Sequence, residues 1–486
     1  MKSEINRRSV RERFAPHHLA LAGIIGIGAA LRLWDLDRTS LWYDEAVSWS
    51  QSSGSLGELI ALVAADNYPP LHNLLLWLTM PIIGDSETAL RLPSAIAGIL
   101  SIWLVYKLGR LVFTRNTGLL AAAILAISPF HIWYSTEARV YALFAMTGLA
   151  FLIALVRTLQ GGRLLWPILA AAFGALFLYS HIYAAFSMAG IGALLLFWQV
   201  RSIREQRFGQ QDVITRAFAA FCAACILFLP WMMILATRAR DVVNNGFWIA
   251  YPNWPFIKIM MRDMAGSEAL FLALVAATLL LLIPTHKPSA KTDVDRRAAA
   301  LLAAFAIAPV FIAYGLSITL RPILFDRYLI AAWPLLILLA SAGACRFLPK
   351  LGPIALLAAV VLLTIQPLRF TLLQKIRPEW REISSIYLAE RKTTDALYLY
   401  KGFSAPALDY YLHGKIAFQP LAKAEDLSED SLRSAVWLLF AHASHSEMTE
   451  LRDQLPFRFK ETGRWRSFGW GESGLTLLRL EAEGDD

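Results

Sequence analysis

Runs of close to twenty apolar residues, separated by short polar stretches, recur along the first three quarters of this 486-residue chain. A helix of about twenty residues crosses the hydrocarbon core of a bilayer. Backbone groups in lipid must be satisfied internally, so such runs are helical. The pattern predicts spans at 17–34, 92–112, 118–134, 139–156, 163–180, 183–200, 216–236, 268–284, 298–318, 328–346 and 353–368, about eleven in all. The apolar stretch 70–83 is too short to cross and reads as an interfacial or re-entrant helix. After 368 the pattern changes. Helices are predicted at Trp380–Arg391, Ala405–Leu412 and Glu447–Leu455, and strands at Ala396–Tyr400, Val436–Phe440, 457–466 and 475–480. The expected architecture is an all-α polytopic membrane domain over 1–368, whose first loop, 35–91, carries interfacial helices, and a small α/β domain over 369–486.

Composition agrees, with 57% hydrophobic and 17% charged residues. The net charge of +9 is no nucleic-acid signal, because the basic residues sit in short loops where they set topology. Lys2, Arg7, Arg8, Arg11 and Arg13 precede the first span. No small-x-small cleavage site follows that span before Arg32-Leu33-Trp34, so it reads as uncleaved. If 70–83 does not cross, then Lys107, Arg110, Arg115, Arg157, Arg163, Arg201, Arg204, Arg207, Lys287, Lys291, Arg296, Arg297, Arg346 and Lys350 share the side of the basic N-terminus. Positive-inside bias then places the N-terminus in the cytoplasm, and loop 35–91 and the tail on the exoplasmic side of a bacterial-type inner membrane. Cys222 and Cys225 form a C-x-x-C within an apolar run, and Cys345 ends another. With no accompanying thiol or histidine pattern they read as packing residues.

This topology gathers four polar clusters at one membrane edge. They are Trp42-Tyr43-Asp44-Glu45, then Asp66-Asn67-Tyr68-Pro69-Pro70-Leu71-His72, then Glu137-Ala138-Arg139-Val140-Tyr141, and the segment Arg321 to Tyr328. A carboxylate such as Asp44 can act as a general base, or it can cap an interfacial helix. Arginine suits planar, bidentate recognition of phosphate. Arg139, Arg321 and Arg327 are therefore candidate phosphate ligands, and the competing reading pairs Arg139 with Glu137 and Arg327 with Asp326. Tyr141 lies beside Arg139; Tyr328 either joins the site or serves as an interface-belt aromatic. Asp66 and His72 flank Pro69-Pro70, which suits a helix start. His131 and His181 lie near exoplasmic span ends without metal-ligand spacing, and His442 and His445 read as a surface loop.

W-Y-D-E after the first span, D-N-Y-P-P-L before a short apolar helix, S-x-x-x-x-L-R-L-P-S-A, S-P-F-H-I-W-Y-S-T-E-A-R-V-Y-A-L and R-P-x-x-x-D-R-Y together resemble one family. It is the polytopic lipid-linked-sugar glycosyltransferases of the GT-C fold, the protein O-mannosyltransferase and aminoarabinose-transferase-like group (glycosyltransferase family 39-like). The likeness covers roughly the first 150 residues well and thins through the middle spans. It implies a polyprenyl-phosphate-linked sugar donor, inversion at the anomeric carbon, and an exoplasmic lipid, glycan or protein acceptor. It also implies that Asp44 is the catalytic aspartate; by residue type and position, Glu45 beside it is a candidate to orient the acceptor or bind a metal, and Asp66 to lie near the donor phosphate or a metal. No cofactor is assigned, and a divalent metal is left open. Competing readings are a transporter or lipid flippase, whose ionisable groups belong nearer the midplane, and a non-catalytic envelope assembly protein whose tail is the working part.

Overall fold

The computed structural model describes residues 16–66, 68–205, 208–244, 249–283, 293–375, 377–427, 435–455, 459–467 and 474–482. The basic residues before 16, Asn67 of the second cluster, and Arg207, Lys287 and Lys291 lie outside them. The chain divides into two compact units. The first comprises Met1–Trp34, Leu56–Leu78 and Arg91–Leu373; the second comprises Asp35–Ser55, Thr79–Leu90 and Gln374–Asp486.

In the first unit, helices α1 (Pro16–Leu33), α5 (Glu87–Val112), α8 (Tyr141–Leu159), α10 (Ala184–Arg204), α11 (Phe208–Asn244), α14 (Asp293–Thr319) and α16 (Leu351–Leu373) each contain a stretch long and apolar enough to cross a membrane. The predicted span 118–134 is a bent pair, α6 (Arg115–Ala126) with α7 (Pro129–Ser135), at 64°; the predicted span 268–284 forms α13 (Glu268–Leu279), which pairs across an 80° bend with α12 (Trp254–Ala265), a helix that the hydropathy pattern did not predict. Among the described residues this gives seven spans, or up to nine if each bent pair is one. The two other predicted spans form α9 (Leu165–Ser180) and α15 (Trp333–Phe347), apolar helices of 16 and 15 residues. The stretch 70–83 forms a short helix, α4 (Leu71–Ile83), with Pro81 inside it. The protein is a multi-pass membrane protein.

The break at 127–128 has a local cause. Ser128 caps α7 by accepting from the His131 amide, and Pro129 stands at the first helical positions, where it lacks only an N–H the helix would not use. The residue before a proline is pushed out of helical backbone. The carbonyls this frees at the end of α6 are taken up by Arg32, fully buried, which donates to Ala126 O at 2.9 Å and Leu125 O at 3.0 Å. The same guanidinium lies 3.0 Å from His131 Nδ1. A cation here meets the negative end of the helix dipole. Close helix approach in the membrane depends on small residues. A Cβ on Gly109 of α5 would stand 2.7 Å from Cα of Gly118 in α6.

The second unit contains α2 (Tyr43–Ser52) and a five-stranded sheet of order β2-β1-β3-β5-β4. The strands are β1 (Ala396–Tyr400), β2 (Gln419–Leu421), β3 (Val436–Ala441), β4 (Phe459–Ser467) and β5 (Leu475–Ala482). β1 pairs in parallel with β2 and β3, whereas β5 is antiparallel to β3 and β4. Helices α17 (Trp380–Glu390), α18 (Ala405–Leu412) and α19 (His445–Asp453) accompany it. All six residues of β3 are buried, as a central strand covered on both faces requires. The start of α19 two residues before the expected Glu447 follows from Ser444, whose hydroxyl accepts from the Glu447 amide while the Glu447 carboxylate accepts from the Ser444 amide.

Candidate active site

In the first unit, side chains from four turns converge. Ser317 Oγ accepts from the amides of Ile323 and Leu324, both at 2.9 Å, and holds the chain between α14 and α15 in place. The Tyr183 hydroxyl, at the start of α10, donates to the Ile323 carbonyl. The segment so held presents Arg327, whose guanidinium lies over the rings of Phe325 (5.2 Å), Tyr328 (5.6 Å) and Tyr141 (5.7 Å). Arg139 lies over Tyr68 at 5.7 Å, and its carbonyl accepts from Ser94 Oγ at 3.0 Å. The backbone at Tyr68 is fixed in turn, because its carbonyl accepts from Trp231 Nε1 at 3.2 Å.

His181, buried in the turn between α9 and α10, is the hub of this group. Its ring lies 5.1 Å from Tyr328, 5.6 Å from Tyr183, 6.2 Å from Tyr141 and 6.3 Å from Tyr68. Phe144 stacks on it at 5.0 Å. Burial, assisted by the charges of Arg139 and Arg327, pulls its pKa down to about 3. Asp326 is also buried, and desolvation raises its carboxyl to about 6 even though its Oδ1 accepts from the Arg327 amide at 2.7 Å. Glu137 is buried; its charge and those of Asp326 and Arg327 all reach the Tyr134 hydroxyl. Two arginines faced by polarisable rings at a turn can hold a phosphate and the apolar body attached to it.

Of the remaining candidates in this unit, Asp66 is exposed just past the end of α3 (Leu56–Ala65). His72 is buried in the first turn of α4. Arg321 is half-buried just beyond α14, with its amide on the Leu316 carbonyl at 3.0 Å. Among the described residues, no group of three or more His, Cys, Asp or Glu side chains is placed to hold a metal ion.

In the second unit, Asp44 and Glu45 stand in the first turn of α2, where negative charge is favoured. Glu45 is fully buried. Its Oε2 accepts from the Trp42 amide at 3.3 Å and lies 3.5 Å from Arg377 Nη1. Asp44 is half-buried and keeps a different environment. Its charge reaches His442, whose pKa burial nonetheless holds below the usual value. Tyr43 meets Phe403 edge-on at 5.4 Å, and Phe403 lies 5.7 Å from His442. Lys401 and His442 follow β1 and β3 with left-handed backbone (φ 54° and 53°), a conformation non-glycine residues adopt at a cost. Around α2 the second unit is braced by polar contacts. The Leu41 amide donates to the Tyr411 hydroxyl at 2.7 Å, Tyr411 donates to Glu87, and Arg381 pairs with Glu87.

The model of the dolichyl-phosphate-mannose-protein mannosyltransferase family matches residues 67–234. No curated relative matches the chain. Among solved structures, ArnT from Cupriavidus metallidurans in the apo state superposes with a TM-score of 0.61 at 12% identity, over 94% of this chain and 97% of that one. The same protein bound to undecaprenyl phosphate gives 0.61 at 13%, with the same coverage. The Archaeoglobus fulgidus oligosaccharyltransferase in its apo form gives 0.54 at 12%, over 88% and 70%.

The chain has the GT-C fold. Together with the family match, the fold supports a membrane glycosyltransferase. In this GT-C chain the matched stretch contains Tyr68, His72, Glu137, Arg139, Tyr141, His181 and Tyr183, while Asp44, Glu45, Arg321, Arg327 and Tyr328 lie outside it. Tyr183 and His181 had no distinctive spacing in the sequence, and Tyr68 stood there only as part of a motif. What marks them is the set of rings that distant turns bring round His181, and that grouping is tertiary.

Proposed function

We propose that this chain transfers a sugar from a polyprenyl-phosphate donor to a hydroxyl on an exoplasmic lipid, glycan or protein, with inversion at the anomeric carbon. The observation that carries the reading is the arginine–tyrosine group centred on His181. Two guanidinium groups gathered with tyrosine rings in a helical membrane unit suit the phosphate of an isoprenoid lipid, and the GT-C fold and the family match support the same chemistry. The apolar exterior of the helices suits the lipid tail, so membrane lipids are its natural surroundings, and nucleic acid has no place in the reading.

The reaction makes two demands. A proton must leave the acceptor hydroxyl, and the departing phosphate must carry an added negative charge. Asp44 meets the first: its carboxylate takes the proton as the acceptor oxygen bonds to the anomeric carbon. The bond from that carbon to the phosphate oxygen breaks, and the lipid phosphate leaves as a monoester whose charge Arg139 and Arg327 neutralise. Glu45 serves Asp44 indirectly, by capping α2 and pairing with Arg377. In this reading the N-terminus is cytoplasmic, and the first loop and the α/β domain are exoplasmic, in a bacterial-type inner membrane.

Replacing Asp44 by Asn removes the base and preserves shape. Transfer from a polyprenyl-phosphate sugar in isolated membranes is expected to fall by about a hundred- to ten-thousand-fold, with the donor KM little changed. Undiminished transfer overturns the assignment.

A further inference from the structure

His181 remains a buried polar group that neither the fold nor the two demands above account for. Its Nδ1 accepts from the Tyr183 amide at 3.1 Å, so the proton of the neutral ring is on Nε2. That Nε2 is buried and has no hydrogen-bond partner among the described residues. Leaving a donor unpaired in the interior costs more than most hydrogen bonds return. Such a group persists when it has a use. The ring is 1% exposed and cannot simply turn to water. The low pKa keeps it neutral across the physiological range, so it is a donor of fixed orientation and not a third cation. The groups around it are the tyrosines that Arg139 and Arg327 overlie.

We propose that His181 Nε2–H donates a hydrogen bond to a phosphate oxygen of the lipid carrier held by Arg139 and Arg327. The inference rests on the glycosyltransferase reading above and adds to it a neutral positioning donor. Arginines supply charge but tolerate several phosphate orientations. A single rigid N–H, fixed by a backbone bond on the far side of the ring, selects one. Rotation about the phosphate is thereby limited, which presents the anomeric carbon from a defined side.

The test uses the purified full-length protein in detergent and undecaprenyl phosphate as the probe, with undecaprenol, which lacks the phosphate, as control. His181→Phe fills the ring site and removes the donor; it should weaken undecaprenyl phosphate binding about ten- to a hundred-fold and leave undecaprenol binding unchanged. His181→Gln carries an N–H near the Nε2 position and should stay within about threefold of wild type. His181→Asn, whose amide reaches only the Nδ1 position, should resemble the Phe variant. The inference is overturned if a folded His181→Phe protein binds undecaprenyl phosphate as tightly as wild type, or if it loses both ligands equally. If the Phe variant does not fold, equal affinities for the Gln and Asn variants overturn it. A wild-type protein that fails to bind undecaprenyl phosphate at all removes the lipid-donor reading itself, an outcome distinct from a wild type that binds and variants that do not differ from it.

Discussion

Arg327 touches three aromatic rings, and its chemistry is not transferable to lysine. A lysine ammonium keeps the charge but loses the planar fork and the ring stacking. Arg327→Lys is therefore expected to raise the KM for a polyprenyl-phosphate sugar by about tenfold with a smaller change in kcat, measured in steady-state assays over a range of donor concentrations. Its neighbour Asp326 sets a pH dependence. Because burial raises the folded-state carboxyl to about 6, the folded protein holds this proton more tightly than the unfolded chain does. Stability from this group is present below the ordinary carboxylate range and is lost as pH rises from about 4 to 6. Asp326→Asn should remove that loss, so the variant gains on wild type by on the order of 2–3 kcal/mol between pH 4.5 and 7.5, read from thermal unfolding in detergent at the two pH values. The sequence exposed the arginines of the site because arginine at a membrane edge stands out by type. It concealed His181, since a solitary histidine acquires meaning only from the tyrosines that three other turns and its own bring to it.

Helix α6 shows why an element can be found and still be misshapen in a sequence reading. Hydropathy through 118–134 is continuous, and a single span is the natural expectation; the interruption comes from Ser128-Pro129, whose side chain and ring act on the backbone without lowering hydrophobicity. The Ala126 carbonyl takes its bond from Arg32, and the Leu125 carbonyl shares Arg32 with the Ser128 amide at 3.4 Å, so Arg32→Met should destabilise the protein by roughly 2–4 kcal/mol, lowering its thermal midpoint in detergent while leaving the helix content of the folded state unchanged. The tail strands were legible because alternation and β-branched or aromatic residues mark them. The exception is β2, three residues with Pro420 at the centre, an edge strand too short and too proline-bearing to register in any pattern.

At the scale of the whole molecule, the membrane class and the α/β tail follow from hydropathy and composition alone, while the number of crossings does not, because length and apolarity are properties of a helix and crossing is a property of its surroundings. Orientation is open to direct measurement. Single cysteines placed at the exposed positions Ser53 and Ser446 should react with an impermeant thiol reagent on intact cells, and one at Glu205 only after permeabilisation, each against the background of the parent chain; the reverse pattern inverts the topology. The two predicted spans that form the short helices α9 and α15 differ in a way that matters for the bilayer. α15 is buried along most of its length, so its 15 residues meet protein on all sides. α9, by contrast, exposes Leu165, Ile168 and Leu176, yet its 16 residues reach only about 24 Å against a hydrocarbon thickness of about 30 Å. If α9 crosses the bilayer, acyl chains packed against that flank compress by about 6 Å, at a fraction of a kcal/mol for each. The surrounding leaflet would then be drawn into a dimple there, and bilayers of shorter acyl chains would accommodate the protein with less elastic penalty than thicker ones.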